Sequence, residues 1–362
     1  MNKTLLTVLS FSLSILSAAQ QDPQYTQFLF NKQMFNPAVT GQNARHCATL
    51  LTRTQYSQYE DQTFLLNTHA GGPTHLEGAK GAKTVSFSYG APIPLRCETS
   101  RISSGGAGLS FYADETGYLK TNYLKTDLAY RISLPAATLS LGANVGMMQK
   151  VIDINGLVYK DPFDPKVPLV STSKHNVNYG FGISYSSKGK HNVNIGYAIQ
   201  NVSGRPFSFA NVDALAPGLH QYITFDMESM IKRSGIILTT FGLAQMGNQK
   251  SIWHDSLTSD RFNFANPTLT MGLLADINPL IQVGMSSRLS TKNLESVSGI
   301  LGIYLMPNLR LGYAYDMNIS SLHFNHRNTH EIILKYCFTK CKIDVTDDPR
   351  HIDQFDFEQK HI

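Results

Sequence analysis

From residue 47 to residue 338 the apolar side chains of this chain keep to alternate positions, segment after segment. In 137–150, Leu139, Leu141, Ala143, Val145 and Met147 share one face, and Ser140, Gly142, Asn144 and Gly146 share the other. In 190–199, Val193, Ile195, Tyr197 and Ile199 alternate with Asn192, Asn194, Gly196 and Ala198. Leu309, Leu311, Tyr313 and Tyr315 alternate in the same way with Arg310, Gly312, Ala314 and Asp316. Successive side chains of a strand point to opposite faces, so each segment reads as a strand with one face in an apolar medium.

Such segments recur at 48–58, 83–91, 106–113, 119–133, 137–150, 174–186, 190–199, 218–232, 235–246, 266–275, 280–289, 296–305, 308–317 and 328–338. An even count, here about fourteen, is what a single-chain bacterial barrel needs to keep both termini on one side of the membrane. The connections give a separate test. Those after odd strands (59–82, 114–118, 151–173, 200–217, 247–265, 290–295, 318–327) are mostly long. Those after even strands (134–136, 187–189, 233–234, 276–279, 306–307) are short, with 92–105 as the exception. Long outer loops and short periplasmic turns are the pattern of outer-membrane barrels. Chain reversers sit where turns are needed: Leu134-Pro135, Ser187-Lys188-Gly189, Asn278-Pro279 and Met306-Pro307.

The compartment is set at the start of the chain. Lys3, an apolar run from Leu5 to Leu16, and the small residues Ser17, Ala18 and Ala19 read as a signal peptide over 1–19. Charged residues make up 16% of the chain, against roughly 25% in ordinary soluble proteins. A soluble β-sandwich would not produce the alternation of loop lengths. The expected fold is therefore all-β, a transmembrane antiparallel β-barrel of the outer-membrane type over 47–338. Segment 20–46 precedes it and a tail, 339–362, follows; both begin at the periplasmic side in this topology. The lipid bilayer is the first expected partner. Net charge is only +5 with no basic block, so nucleic acid is not an expected partner.

Several stretches form a series. At the N-terminus they are Gln21-Asp22-Pro23-Gln24-Tyr25-Thr26-Gln27-Phe28, Asn31, Asn36-Pro37-Ala38 and Gly41. Arg53-Thr54-Gln55-Tyr56 follows in the first strand. Gly106 to Tyr112 with Asp114-Glu115-Thr116-Gly117, Leu309 to Asp316, and Thr329 to Phe338 complete the series. In order and spacing these stretches resemble the PorP/SprF family of type IX secretion membrane proteins, with Tyr56 where the family's first-strand motif usually has Trp. The stretch of about 20 residues after Tyr59 and the tail after Phe338 depart from the common pattern. The resemblance implies a component of the type IX secretion system of Bacteroidota. It would be a partner for a secreted surface adhesin, including those of gliding motility, or a companion of the periplasmic secretion ring; the long tail favours the first. The alternative is an outer-membrane porin or a transporter of hydrophobic solutes, which barrel physics alone does not separate.

The candidate sites follow from this topology. Cys47, Cys97, Cys337 and Cys341 all fall at the oxidising periplasmic rim, and Cys47 is placed to bridge to Cys337 or Cys341, because first and last strands are neighbours. Phe338 is a barrel-terminal aromatic, either a signal for the assembly machinery or a girdle residue. The tail, with Phe355 and Phe357 among acidic residues, is a solvated extension or a segment that docks on a partner. Segment 22–43 carries Tyr25, Phe28, Phe30 and Phe35 among amides. It is expected either as a plug inside or across the barrel or as a plain lead-in. His323, His326 and His330 read as surface histidines, and Asp161 and Asp164 as part of a Pro-stiffened loop. No GxSxG, HExxH or phosphate-loop motif occurs, so no catalytic residue, cofactor, metal or small-molecule substrate is expected.

Overall fold

The computed structural model describes residues 23–42, 45–55, 64–66, 74–76, 81–93, 103–117, 119–152, 172–187, 189, 191–203, 207–209, 212–214, 218–231, 235–248, 265–290, 293–319 and 328–338. Among them, fourteen strands close into one antiparallel barrel in chain order. They are β1 His46–Thr54, β2 Lys83–Ile93, β3 Ser103–Thr116, β4 Leu119–Ser133, β5 Ala137–Ile152, β6 Thr172–Ser187 and β7 Asn192–Gln200. The second half comprises β8 Leu219–Ile231, β9 Ile236–Asn248, β10 Ala265–Asn278, β11 Ile281–Ser290, β12 Leu294–Met306, β13 Leu309–Asn318 and β14 Thr329–Phe338. The expected strands coincide with these to within a few residues. The largest differences are in β1, which ends at Thr54 where 58 was expected, and in β3, which runs three residues further at each end than 106–113; β1 begins at His46, which enters the ladder opposite Phe338 and stacks on its ring at 5.0 Å.

Closure removes every sheet edge. β1 pairs with β2 on one side and with β14 on the other, so every strand of the barrel has a hydrogen-bonded neighbour on both sides. At one rim the strands are joined by tight turns. Leu134 N donates to Ala137 O at 2.7 Å. The Asn278 side chain accepts from Leu280 N and Ile281 N at 2.9 and 2.7 Å, the local bond that makes Asn-Pro a chain reverser. The opposite rim carries the long connections. Two of them contain short hairpins that alternation did not reveal, Phe64–Leu66 with Thr74–Leu76 and Phe207–Phe209 with Val212–Ala214. Pairs of three-residue strands are too short to display a period.

Burial in the wall is the reverse of that in a soluble protein. Val177, Tyr179, Phe181, Ile183 and Tyr185 of β6 all point away from the lumen and are exposed, as are Leu141, Val145 and Met147 of β5. Ser86, Ser88, Asn144, Asn178, Ser184, Thr224 and Asp226 are buried on the inside. An apolar outer surface on this scale is stable only against lipid. At the short-turn rim of that surface His46, Tyr89, Tyr336 and Phe338 cluster, with a 2.8 Å hydrogen bond between His46 Nδ1 and the Tyr89 hydroxyl. The two tyrosines, apolar rings with a polar hydroxyl, suit the lipid–water boundary.

The seam between β1 and β14 is covalent. Cys47 and Cys337 are register partners with Cα atoms 4.1 Å apart, and they form a disulfide. Cys97 and Cys341 lie outside the described residues. The bond closes a loop with a sequence separation of 290. In the chain-entropy account, loops of a hundred residues or more gain about 5 kcal/mol from a cross-link. Cys47→Ser is therefore expected to lower the temperature at which the folded barrel is lost in detergent. Heat-modifiability gels on the oxidised and reduced protein check this; equal melting of variant and parent would show that the bond contributes nothing.

Candidate functional site

Residues 23–42 do not join the sheet; they lie inside the barrel as a strap of three single turns of 3-10 helix, Phe28–Phe30, Lys32–Met34 and Pro37–Val39. The first described residues stand toward the long-connection rim, where Gln24 Nε2 meets Thr268 Oγ1 at 3.4 Å. Thr268 lies near the start of β10, on that side. The last stand at the short-turn rim, where Gly41 packs on Ala91 near the end of β2. The strap thus runs along the lumen and turns directly into β1. Gly41 has φ +63, and a side chain there would run into the backbone of Ala91, so only glycine makes this turn.

Two features hold the strap. The first is a buried ionic clamp near the long-connection rim. Arg53 of β1 lies 3.3 Å from Glu331 of β14 and 3.2 Å from Asp316 of β13, and Arg288 of β11 lies 4.0 Å from Asp316. These four side chains point inward because the period of two puts them on the lumen face. Glu331 accepts from Thr26 N at 2.9 Å and Gln27 N at 2.7 Å. The Thr26 hydroxyl donates to Asp316 at 2.8 Å. Two guanidiniums and two carboxylates balance, so the clamp carries no net charge into a buried site, where an unpaired ion would be costly.

The second feature is a trough of inward glycines facing Asn36–Gly41. A Cβ on Gly142 of β5 would fall 2.6 Å from Ala38 Cα, and one on Gly182 of β6 would fall 3.0 Å from Asn36 Cγ. Gly196 of β7 and Gly106 of β3 are approached as closely by Asn36 and Thr40. Asn36 caps its own turn by accepting from Ala38 N at 2.9 Å, and its Nδ2 donates to Ile183 O at 3.0 Å. Pro37 at the first turn position is preset for that conformation.

Polar bonds fill the stretch between. Lys32 pairs with Asp226 at 2.5 Å, and Gln33 Nε2 donates to Tyr89 O, Ser110 Oγ and Asp127 Oδ2, each at 3.1 Å. Lys125 donates to Met34 O at 2.7 Å, Gln200 to Phe35 O at 3.1 Å, and Arg131 to Thr40 O. The aromatics form a small core. Phe28 meets Phe241 edge-on at 5.6 Å and Phe35 meets Tyr222 at 5.2 Å, with Tyr25 on Phe35 at 5.8 Å. Phe30 is only half-buried and lies under the Arg310 guanidinium, 3.3 Å from its ring centre. Burying each fully enclosed ring is worth roughly 1.5–3 kcal/mol.

Residues 17–336 match the family described as type IX secretion system membrane protein PorP/SprF. The chain belongs to the PorP/SprF family. As a PorP/SprF protein it is an outer-membrane component of the type IX secretion system. A search among curated proteins finds no match. Among solved structures it is similar to the toluene transporter TbuX of Ralstonia pickettii, with 12% identity, a TM-score of 0.50, and coverage of 85% of this chain and 93% of that one. A FadL homologue of Pseudomonas aeruginosa gives 10% identity, a TM-score of 0.44, and coverage of 88% and 95%. At such identities the likeness to TbuX concerns the barrel fold alone.

Of the residues singled out in the sequence, Tyr25, Phe28 and Phe35 come together in the lumen and Cys47 meets Cys337 at the seam. Phe338 ends β14 on the outer face, against His46. His330 also faces outward, bonded to the Tyr313 hydroxyl at 2.7 Å. Phe355, Phe357, His323, His326, Asp161 and Asp164 lie outside the described residues. The clamp and the glycine trough were not singled out. Their signal was present: charges of both signs, and glycines, at inward positions of consecutive alternating segments.

Proposed function

We propose that this PorP/SprF protein is a docking partner for a secreted surface adhesin in the outer membrane, and not a conducting pore. In this reading the short-turn rim, the disulfide seam and the tail 339–362 face the periplasm, and the long connections face outward. Phe355 and Phe357 of the tail are anchors for a periplasmic partner. The adhesin is preferred over the secretion ring as client because a long tail is the kind of addition a dedicated partner uses.

The observation that carries the proposal is the strap: a PorP/SprF barrel whose lumen is bonded along its length to its own N-terminal segment is suited to holding protein and poorly suited to passing solute. The long loops outside and the tail inside then supply separate contacts for cargo and for the periplasmic machinery.

Affinity purification of the full-length protein from its own cells, followed by mass spectrometry, tests this. A secreted adhesin is expected to co-purify, and truncation after Thr339 is expected to reduce the yield of periplasmic partners severalfold. In planar bilayers the same protein is expected to show no steady conductance. Robust solute flux together with the absence of any protein partner would sink the proposal in favour of a porin or hydrophobic-solute transporter.

A further inference from the structure

We infer that the barrel lumen is a polypeptide-binding site of which residues 23–42 are the resident occupant, and that a segment of a second protein with the same pattern can take its place. The inference rests on the docking role above and names where in the barrel such a partner would be held.

Recognition of the strap combines contacts to its main chain with contacts to its amide, hydroxyl and Lys32 side chains. Glu331 binds two successive backbone N–H groups, of Thr26 and Gln27. Lys125, Gln200 and Arg131 donate to the backbone carbonyls of Met34, Phe35 and Thr40. In return, strap amides reach wall carbonyls: Gln33 to Tyr89 O and Asn36 to Ile183 O. The contacts to strap main chain accept any segment that follows the same path, apart from proline where an N–H is needed, while those made by Gln33 and Asn36 ask for an amide at the same positions.

The strap can also leave without dismantling the wall. It pairs with no strand, and its own turns supply its internal bonds, such as Asn31 N to Phe28 O at 2.9 Å. The barrel ladder closes through β1 and β14 without it. The wall groups that bind it retain partners of their own. Glu331 and Asp316 keep Arg53, Asp127 keeps Ser110 at 2.9 Å, Asp226 keeps Asn194 at 2.8 Å, and Gln200 keeps Asn144 at 3.0 Å. A wall group that retains a partner avoids the full cost of an unsatisfied buried polar atom when the occupant departs.

Specificity comes from two places. The Phe28 and Phe35 rings fill the aromatic lining beside Phe241 and Tyr222, and the glycine trough accepts only a tight turn with small side chains such as Ala38. The ligand is therefore a segment that forms the same short turns, rich in amides and hydroxyls, with two aromatics seven positions apart followed by an Asn-Pro-small turn.

The test uses the whole protein. A protease site inserted between Gln42 and Arg45 allows the folded barrel to be nicked in detergent, leaving the strap held without a covalent link. A fluorescent peptide of residues 23–42 is then added and followed by anisotropy. Saturable exchange is expected. A peptide retaining only Thr26, Phe28, Lys32, Gln33, Phe35 and 36–41 of the strap, with Ser and Thr elsewhere, is expected to bind within about tenfold of it, and one with both rings changed to Ala at least a hundredfold more weakly. Failure of the strap peptide to exchange at hundredfold excess overturns the inference. So does binding of the strap peptide alone, since the site would then be private to this chain. If nicking unfolds the barrel, the uncut double variant Gln33→Cys with Ser110→Cys replaces it, left open or bridged by a short bis-thiol cross-linker with the Cys47–Cys337 bond kept oxidised: the open form should bind peptide and the bridged form should not. Equal behaviour of the two forms, bound or unbound, also overturns the inference. An adhesin that co-purifies with a barrel whose strap cannot exchange would leave the docking role standing and remove only this step.

Discussion

Gly142→Val is expected to convert a silent barrel into a conducting one. The valine side chain would occupy the volume of Pro37 and Ala38, where even a Cβ falls 2.6 Å from Ala38 Cα. Wall and strap meet there through main chain, so no rotamer change relieves the overlap and the turn at 36–41 has to lift away. The wall itself tolerates the change well, since Val suits a strand better than Gly does. Once the turn is displaced, the bonds from Asn36 to Ile183 and from Arg131 to Thr40 are lost with it. At a net worth of roughly 1 kcal/mol or more for each buried bond, this is enough to leave the lower half of the strap undocked. Single-channel recording on Gly142→Val beside the parent measures the outcome; a variant that inserts normally and stays silent would show that the trough does not set the closed state. Gly182→Val should behave alike, while Gly299→Val should have no effect, because nothing lies within 4 Å of a Cβ at that position.

The second large effect is expected at Glu331. Its carboxylate holds Arg53 and two strap N–H groups while fully buried. Glu331→Ala removes all three bonds and leaves three guanidinium and amide donors facing a methyl group. Breaking one side of a buried ion pair costs about 3–5 kcal/mol, mostly from the charge left behind. Asp316 still faces Arg53 at 3.2 Å and offsets part of that loss. Folded barrel should therefore persist, with a lower melting temperature and with segment 23–30 newly open to proteolysis. The double variant Arg53→Met with Glu331→Ala should recover part of the stability without restoring protection of the segment, because the charge is gone but the strap bonds are still missing. Limited proteolysis with calorimetry separates the two effects. Recovery of both, or of neither, would mean that the clamp and the strap are not coupled through Glu331.

The barrel was legible in the sequence because lipid on one side and polar groups on the other write a period of two into every strand. β4, Leu119–Ser133, is found where alternation put it. The strap was only half legible. Its aromatics stood out, but 3-10 turns this short leave no period, and nothing in Tyr25 to Phe35 alone distinguishes a lumen segment from a lead-in. The trough was hidden for a different reason. A glycine in a strand ordinarily signals a bulge or weak packing, and Gly106, Gly142, Gly182 and Gly196 have meaning only when seen together across four strands. The clamp has the same character, since Arg53 and Glu331 are 278 positions apart and meet only because the barrel closes.

The Cys47–Cys337 bond lies one residue inside Phe338, the end of β14. Without it, tension on the chain beyond Phe338 would peel β14 from β1 one hydrogen-bonded rung at a time, starting at His46 and Phe338. With it, the same pull passes at once into a covalent ring made of the whole barrel, and the rungs beyond the bond feel almost none of it. Under a load applied at that end the barrel is in effect a closed shackle, expected to be drawn out of the bilayer before it unzips.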